Sequence, residues 1–432
     1  MTWQLALAVV VAATAIESIR RGLDVRFVLF TAGLLLVAAA GEWWAVFDTF
    51  QKYLGRADII GPICSAMGYA WVLKITGCDA HMVRLLMRPL QRYRWALIPG
   101  GCTVGFLANM AMTSQTACAA AVGPVLVPLM IAAGYRPIIA AATLVVGCSV
   151  GGNLFNPGEP DIVAIHAVTG WLVGPIIDST VLPNLVSFAI ATIVMSVMGH
   201  RAPAGETSAQ ASDDAPVRLL YALLPPLPVV LLMLLQPGLN LVPPLFSIYP
   251  SGVHVSMVML VCTALVLVVT WQHQWRSHVA TITREFFNGM GYAFANVISL
   301  IIAAGCFIAG LDAVGAITVV AGALAGVPAM ATVLSPMLTA GLAYVSGSGT
   351  APSVAFTQAM LPGIAAVDVA HAVDLGVLGA IGASVGRTMS PVAAVVLFAA
   401  TLVQAQPIDV VRITRWPMLA AIVAVITAAL VF

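Results

Sequence analysis

Two clusters of small polar residues interrupt apolar sequence, and they match. Ser114-Gln115-Thr116 and Ser348-Gly349-Thr350 stand 234 positions apart. Each is followed by a serine flanked by glycines, in Gly147-Cys148-Ser149-Val150-Gly151 and in Gly382-Ala383-Ser384-Val385-Gly386. A helix-breaking segment then follows, Asn156-Pro157-Gly158 in one half and Ser390-Pro391 in the other. An interrupted helix leaves N–H groups unpaired at one new end and carbonyls at the other. The half-helix N-terminus carries about half a positive charge and suits an anion, while the opposing carbonyls can hold a cation. Such backbone is tolerated at membrane depth only where it is buried in protein or lines a cavity. Its occurrence in both halves is the pattern of a secondary transporter built from repeats. The alternative for any single serine or threonine is a helix-packing residue bonded to the preceding turn.

Charged residues gather at the same breaks. Arg387 and Thr388 follow Gly386 directly. An arginine inside a membrane is costly and usually functional, and its planar fork matches a carboxylate; the alternative is an ion pair or a helix-end cap. The segment Asn153-Leu154-Phe155-Asn156-Pro157-Gly158-Glu159-Pro160-Asp161 carries two acids after the first break. Glu159 and Asp161 each have several roles open: cation ligand, proton carrier, counter-charge to Arg387, or dipole cap of the second half-helix. The expected anion site is therefore Ser114, Gln115, Thr116, Ser348, Gly349, Thr350, Arg387 and Thr388. Ser149, Asn153, Asn156, Glu159, Asp161, Ser384 and Ser390 would shape the ion side, with a sodium ion expected near Ser114, Asn153 and Asn156 or a proton in its place.

The elements that position these residues must cross a membrane. Of 432 residues, 61% are hydrophobic and 8% charged, against about 25% charged in soluble domains. Apolar runs of roughly 20 residues recur, the length that spans the hydrocarbon core. The net charge of +1 gives no sign of a nucleic-acid partner. The apolar N-terminal run lacks a basic flank, so no cleavable signal peptide is expected. Seven cysteines show neither paired nor metal-ligand spacing.

The fold expected is all-α and polytopic, with two inverted repeats, residues 1–199 and 218–432, joined by a flexible cytoplasmic linker at 200–217. Spans are predicted near 3–17, 25–41, 58–74 and 174–199, and near 218–235, 254–272, 290–310 and 414–432. Amphipathic helices are predicted at 78–94 and 312–327. The stretches 95–133 and 328–366 are read as re-entrant hairpins, and 137–173 and 371–403 as broken helices. Each repeat then crosses five times, which inverts the second. With both termini outside, the inner side receives fifteen of the 18 basic residues, the outer side Lys52 and Arg56, and Arg387 stays within the membrane. This obeys the positive-inside rule.

Both glycine-flanked serines match the G-x-S-x-G nucleophile pattern. A hydrolase needs one nucleophile with one base, whereas this pattern occurs twice and no histidine falls within a predicted mid-membrane helix. Close helix packing explains the glycines better, so no enzyme is expected. No Walker-type phosphate loop is present. An anion channel using the same half-helix dipoles is the rival from another class.

Ser346-Gly347-Ser348-Gly349-Thr350-Ala351-Pro352, with Ser114-Gln115-Thr116 and the segment from Asn153 to Asp161, resembles the anaerobic four-carbon dicarboxylate carriers of the DcuC type, within the ion transporter superfamily. The resemblance covers nearly the whole chain. It implies ion-coupled symport, exchange or efflux of succinate, fumarate or malate, with other carboxylates or amino acids as alternatives. It also implies an elevator mechanism in a bacterial inner membrane, with a mobile domain of hairpins and broken helices. The scaffold would be homodimeric and embedded in lipid, and arm helices would link it to the mobile domain. More distant sodium-coupled members use Ser-Asn-Thr at each hairpin tip. Here Gln115 and Gly349 replace the middle residue, so the likeness extends only to Ser114, Thr116, Ser348 and Thr350.

Overall fold

The computed structural model describes residues 2–21, 23–88, 93–112, 114–201, 216–235, 253–271, 275–316, 319 and 328–431. Positions 202–215 of the linker predicted at 200–217, positions 89–92 of the first arm helix, and most of the second arm helix beyond 316 lie outside the described residues, and the last helix of the first repeat runs to Arg201, into the predicted linker. Among the described residues the structure is helical, with no strand.

The first repeat runs through α1 (Thr2–Arg20), α2 (Val25–Ala40), α3 (Ala45–Leu54), α4 (Ala57–Thr76) and α5 (Cys78–Met87). It continues with α6 (Leu97–Ala111), α7 (Gln115–Ala132), α8 (Pro137–Ser149), α9 (Pro160–Thr169) and α10 (Val173–Arg201). The second contains α11 (Leu219–Leu223), α12 (Leu227–Leu234), α13 (Val255–Val269), α14 (Trp275–Ala293), α15 (Ser299–Ala313), α16 (Pro328–Ser346), α17 (Thr350–Ala365), α18 (Val369–Thr388), α19 (Ala394–Leu402) and α20 (Pro407–Val431). Helix α6 gives way to α7 at 112–114 and α16 to α17 at 347–349, so the two polar clusters are the tips of helical hairpins. The stretch between α8 and α9 contains a short 3₁₀ turn, Gly152–Phe155, and α18 breaks before α19. The five-helix series α6–α10 is thus repeated by α16–α20.

Among the described residues, eight helical segments are long and apolar enough to cross a membrane, and both Gln115–Ala132 and Ala329–Ser346 of the hairpins are among them. Three elements depart from the expected spans. The stretch predicted as one span at 218–235 is divided, because Pro225-Pro226 cannot continue the helix. A separate short α3 follows α2. The span predicted at 290–310 is the second part of a longer helical run from Trp275 to Ala313, divided by a π-turn at Phe294–Ile298.

Buried side chains separate two bodies. One core joins residues of α5–α10 with α16–α20. Two others join α2–α4 with α11–α15, and Val163 and Ala164 of α9 and Val354 of α17 enter the first of these. The glycine pattern sets the packing of the first body. A Cβ on Gly147 would lie 2.9 Å from the Cα of Cys102, and one on Gly382 would enter the backbone of Pro336. Helix α8 therefore touches α6, and α18 touches α16, backbone to backbone, as small residues permit between membrane helices. Large apolar side chains such as Val9, Leu182, Val268 and Val423 remain on the outside of the bundle, with Trp3, Trp44, Trp95, Trp271 and Trp416 also exposed. All seven cysteines are buried and unpaired.

Candidate functional site

The hairpin tips begin their second helices in the same way. Ser114 Oγ accepts a hydrogen bond from the N–H of Ala117, and Ser348 Oγ accepts one from Ala351, each at 3.3 Å. Each serine thus caps a half-helix N-terminus while its remaining N–H groups stay at the tip.

Arg387 lies where the two repeats meet. It closes α18 and is only 5% exposed. Its Nε donates to Ser149 Oγ and its Nη2 to the Ser149 carbonyl, both at 3.1 Å. Thr388 Oγ1 donates to the Ser384 carbonyl at 2.7 Å and lies 2.9 Å from Ser149 Oγ. Ser149 ends α8, so the break of the first repeat tethers the arginine of the second. The third guanidinium nitrogen, Nη1, faces the other hairpin: a Cβ built on Gly349 would fall 2.5 Å from it. Glycine at the middle of that tip is what gives the arginine its room.

A cavity of about 210 Å³ opens at this point, lined by Ser114, Gln115, Thr116, Glu159, Ser348, Gly349, Thr350 and Arg387 from the first body. The other body contributes Ile63 and Met67 of α4, and Tyr292, Asn296 and Val297 beside the π-turn. Its volume lies below the roughly 300 Å³ at which pockets for drug-sized ligands begin, so it suits a small metabolite. It brings together a guanidinium, two half-helix N-termini and a carboxylate.

The remaining expected site residues lie behind this cavity. Asn156 is committed: Nδ2 donates to the Met110 carbonyl at 3.0 Å and Oδ1 accepts from the Gly158 N–H at 2.9 Å. Ser384 contributes its carbonyl, and Ser390 Oγ is buried without a partner. Asn153 is fully buried, and both polar atoms of its amide are unpartnered. Glu159 stands at the N-cap position of α9 and makes no capping hydrogen bond there. Glu159 and Asp161, 1% and 3% exposed, lie within electrostatic reach of each other and of Arg387. The G-x-S-x-G serine, Ser149, is engaged as the arginine's acceptor.

Sequence reasoning missed Tyr292 and Asn296, and also Asn109 and Asn184. Asn109 Oδ1 accepts from the Asn153 N–H at 3.0 Å, and Asn184 Nδ2 donates to the Gly151 carbonyl at 2.7 Å. These two fix the broken backbone after α8. Lone asparagines in apolar helices were the available signal. The π-turn that brings Asn296 to the cavity has none.

Comparison with known proteins agrees with this architecture. The family model described as "DcuC: C4-dicarboxylate anaerobic carrier" matches residues 49–432. The chain belongs to the DcuC family. The anaerobic C4-dicarboxylate transporter DcuC of Escherichia coli K12 is 24% identical, with 98% of this chain and 96% of that protein covered. A putative uncharacterized transporter of Haemophilus influenzae is 30% identical over 62% of this chain and 97% of its own length. Among solved structures, the YdaH transporter of Alcanivorax borkumensis matches with a TM-score of 0.59 at 16% identity, covering 93% of this chain and 95% of that one; at that identity the likeness is one of fold. As a member of the DcuC family the chain is an integral, multi-pass membrane transporter for dicarboxylates, not an enzyme.

Proposed function

We propose that the chain is a secondary active carrier that moves a succinate-, fumarate- or malate-class dicarboxylate through a bacterial inner membrane, by ion-coupled symport or exchange. The observation that carries this reading is Arg387, held by Ser149 of one break beside Gly349 of the opposite hairpin and facing a cavity that both hairpin tips line. One substrate carboxylate pairs with Nη1 of Arg387 and the N–H groups at the start of α17. The other end reaches the start of α7 and the polar groups of Tyr292 and Asn296. Separate cores for the hairpin body and for the body carrying α2–α4 and α13–α15, with the cavity between them, support elevator-type alternating access. Arg26, which the basic-residue bias assigns to the inside, donates to the Ala295 carbonyl beside Asn296 at 2.8 Å. Both termini lie outside in this topology, and the scaffold body forms the contact of a homodimer in lipid.

Uptake of labelled succinate into proteoliposomes, with trapped unlabelled dicarboxylate and imposed ion gradients, tests the reading. Saturable uptake with counterflow is expected, and Arg387→Lys, which inserts normally, loses most of it. Flux that neither saturates nor exchanges would identify a channel. Wild-type affinity in the lysine variant would remove Arg387 from the site.

A further inference from the structure

Behind the cavity lies a second polar cluster that the anion reading leaves unexplained. Asn153, Glu159, Asp161 and Ser353 are each at least 97% buried. They are neighbours in series: Glu159 adjoins Asn153 and Asp161, and Asp161 adjoins Ser353 of α17. Yet Asn153 Oδ1, Glu159 Oε2, Asp161 Oδ1 and Ser353 Oγ all lack a hydrogen-bond partner. Buried polar atoms are rarely left so, because each unsatisfied one keeps the full cost of leaving water. Four of them along one connected series point to a common ligand.

Charge decides what kind. Two carboxylates and one guanidinium leave one negative charge uncompensated, in a place where burying it is expensive, and an arriving dicarboxylate adds two more. A monovalent cation cancels the resident charge, whereas a divalent one overshoots. Two carboxylates, an amide carbonyl and a hydroxyl form the all-oxygen set that hard cations take. A proton would satisfy one carboxylate and leave the amide and hydroxyl as they are.

The site also differs from the sodium position expected near Ser114, Asn153 and Asn156. Ser114 Oγ is spent on capping α7, and both polar atoms of the Asn156 side chain are bonded. We propose that Asn153, Glu159, Asp161 and Ser353 form a sodium site between the first broken helix and the second hairpin, filled before the substrate arrives and kept filled with it. This rests on the carrier reading for its coupling role, though not for the binding itself. Glu159 belongs to both sites, since it also lines the anion cavity. Sodium there pulls the α9 start onto α17 and turns the Glu159 carboxylate away from the incoming anion.

Thermal unfolding of the purified full-length carrier, without substrate, in sodium chloride against choline chloride at equal ionic strength is the test. The midpoint is expected to rise saturably with sodium only. Asp161→Asn and the milder Ser353→Ala should each raise the half-saturating sodium concentration about tenfold or more, while Ser179→Ala on the surface of α10 keeps the wild-type response. Equal midpoints in sodium and choline would overturn the proposal, as would a midpoint that follows pH but not sodium. A wild-type sodium response in Ser353→Ala would overturn the placement. If sodium stabilises as expected but proteoliposomes carry no dicarboxylate, the substrate reading fails and the cation site stands.

Discussion

Replacing Gly349 by alanine tests the geometry of the arginine without touching the arginine. The added Cβ would stand 2.5 Å from Arg387 Nη1 and 3.0 Å from Cζ. Ordinary contacts begin near 3.5 Å, so the guanidinium must retreat by about 1 Å. It has little slack, because Nε and Nη2 are fixed to Ser149 at 3.1 Å, and a retreat of that size carries at least one of these bonds beyond the roughly 3.2 Å limit of a good N–H···O contact. A hydrogen bond to a charged group contributes about 1.5–3 kcal/mol, and each 1.4 kcal/mol is tenfold in affinity. Gly349→Ala is therefore expected to weaken substrate binding by about 10- to 150-fold. Only the far end of a flexible side chain has to move, so the protein should still express and fold, but the lost Arg387–Ser149 bond lowers the melting point alongside the affinity.

Substrate affinity measured in detergent, together with the KM for uptake, reads this directly. Ser149→Ala removes one of the two bonds that hold the same guanidinium, the one from Nε to Oγ, and the double variant separates two explanations. If both substitutions act through Arg387, their losses are strongly non-additive. If the new methyl group simply blocks the cavity, the losses add. Wild-type affinity in Gly349→Ala, or additive losses in the pair, would refute the arrangement described here.

The serine caps make a symmetric prediction. Ser114→Ala and Ser348→Ala should each cost about 1 kcal/mol of stability and the glycine variants only a few tenths, read as unfolding midpoints in detergent; an alanine variant no less stable than its glycine counterpart would contradict the caps. A pH prediction concerns the turn before α2. Hydrogen bonding from Arg26 lowers the Asp24 carboxyl from 3.8 to about 2, with Arg26 Nε 2.9 Å from Asp24 Oδ1. A depressed carboxyl stabilises the fold above its unfolded value and loses that effect as pH falls through its folded one. Asp24→Asn should accordingly lower the melting point equally at pH 6 and pH 8, and the gap to wild type should close between about pH 4 and pH 2.

Most of the scaffold was readable because membrane-spanning helices announce themselves by apolar length, and because a polar break in such a run has few structural explanations. The hairpin tips at Ser114 and Ser348 followed from that logic. What escaped it depends on neighbours that are distant in sequence. Asn296 looks like one amide in an apolar stretch until the π-turn at Phe294–Ile298 places it at the cavity. The division of 218–235 is legible in Pro225-Pro226, although hydropathy alone reads the stretch as one span. Asn156 reads as a cation ligand from its type, and its amide also ties the break to Met110 and Gly158, which no spacing rule reports.

The departure from symmetry carries as much as the symmetry. Ser149 and Ser384 correspond at an offset of 235, and at that offset Arg387 falls on Gly152, Glu159 on Ala394 and Asp161 on Val396. The backbone breaks are thus duplicated while the charges are divided, cation on the second repeat and anions on the first. Two identical half-sites would place like charges together at the centre, where repulsion in a low dielectric is severe. Dividing the charges lets Arg387 reach across to the Ser149 carbonyl, within the field of Glu159 and Asp161. It also leaves one face of the arginine turned toward Gly349 and the cavity. A carrier for a dianion needs such a centre: a guanidinium and half-helix N-termini to receive its carboxylates, and enough local compensation that the arginine can be buried before the substrate arrives.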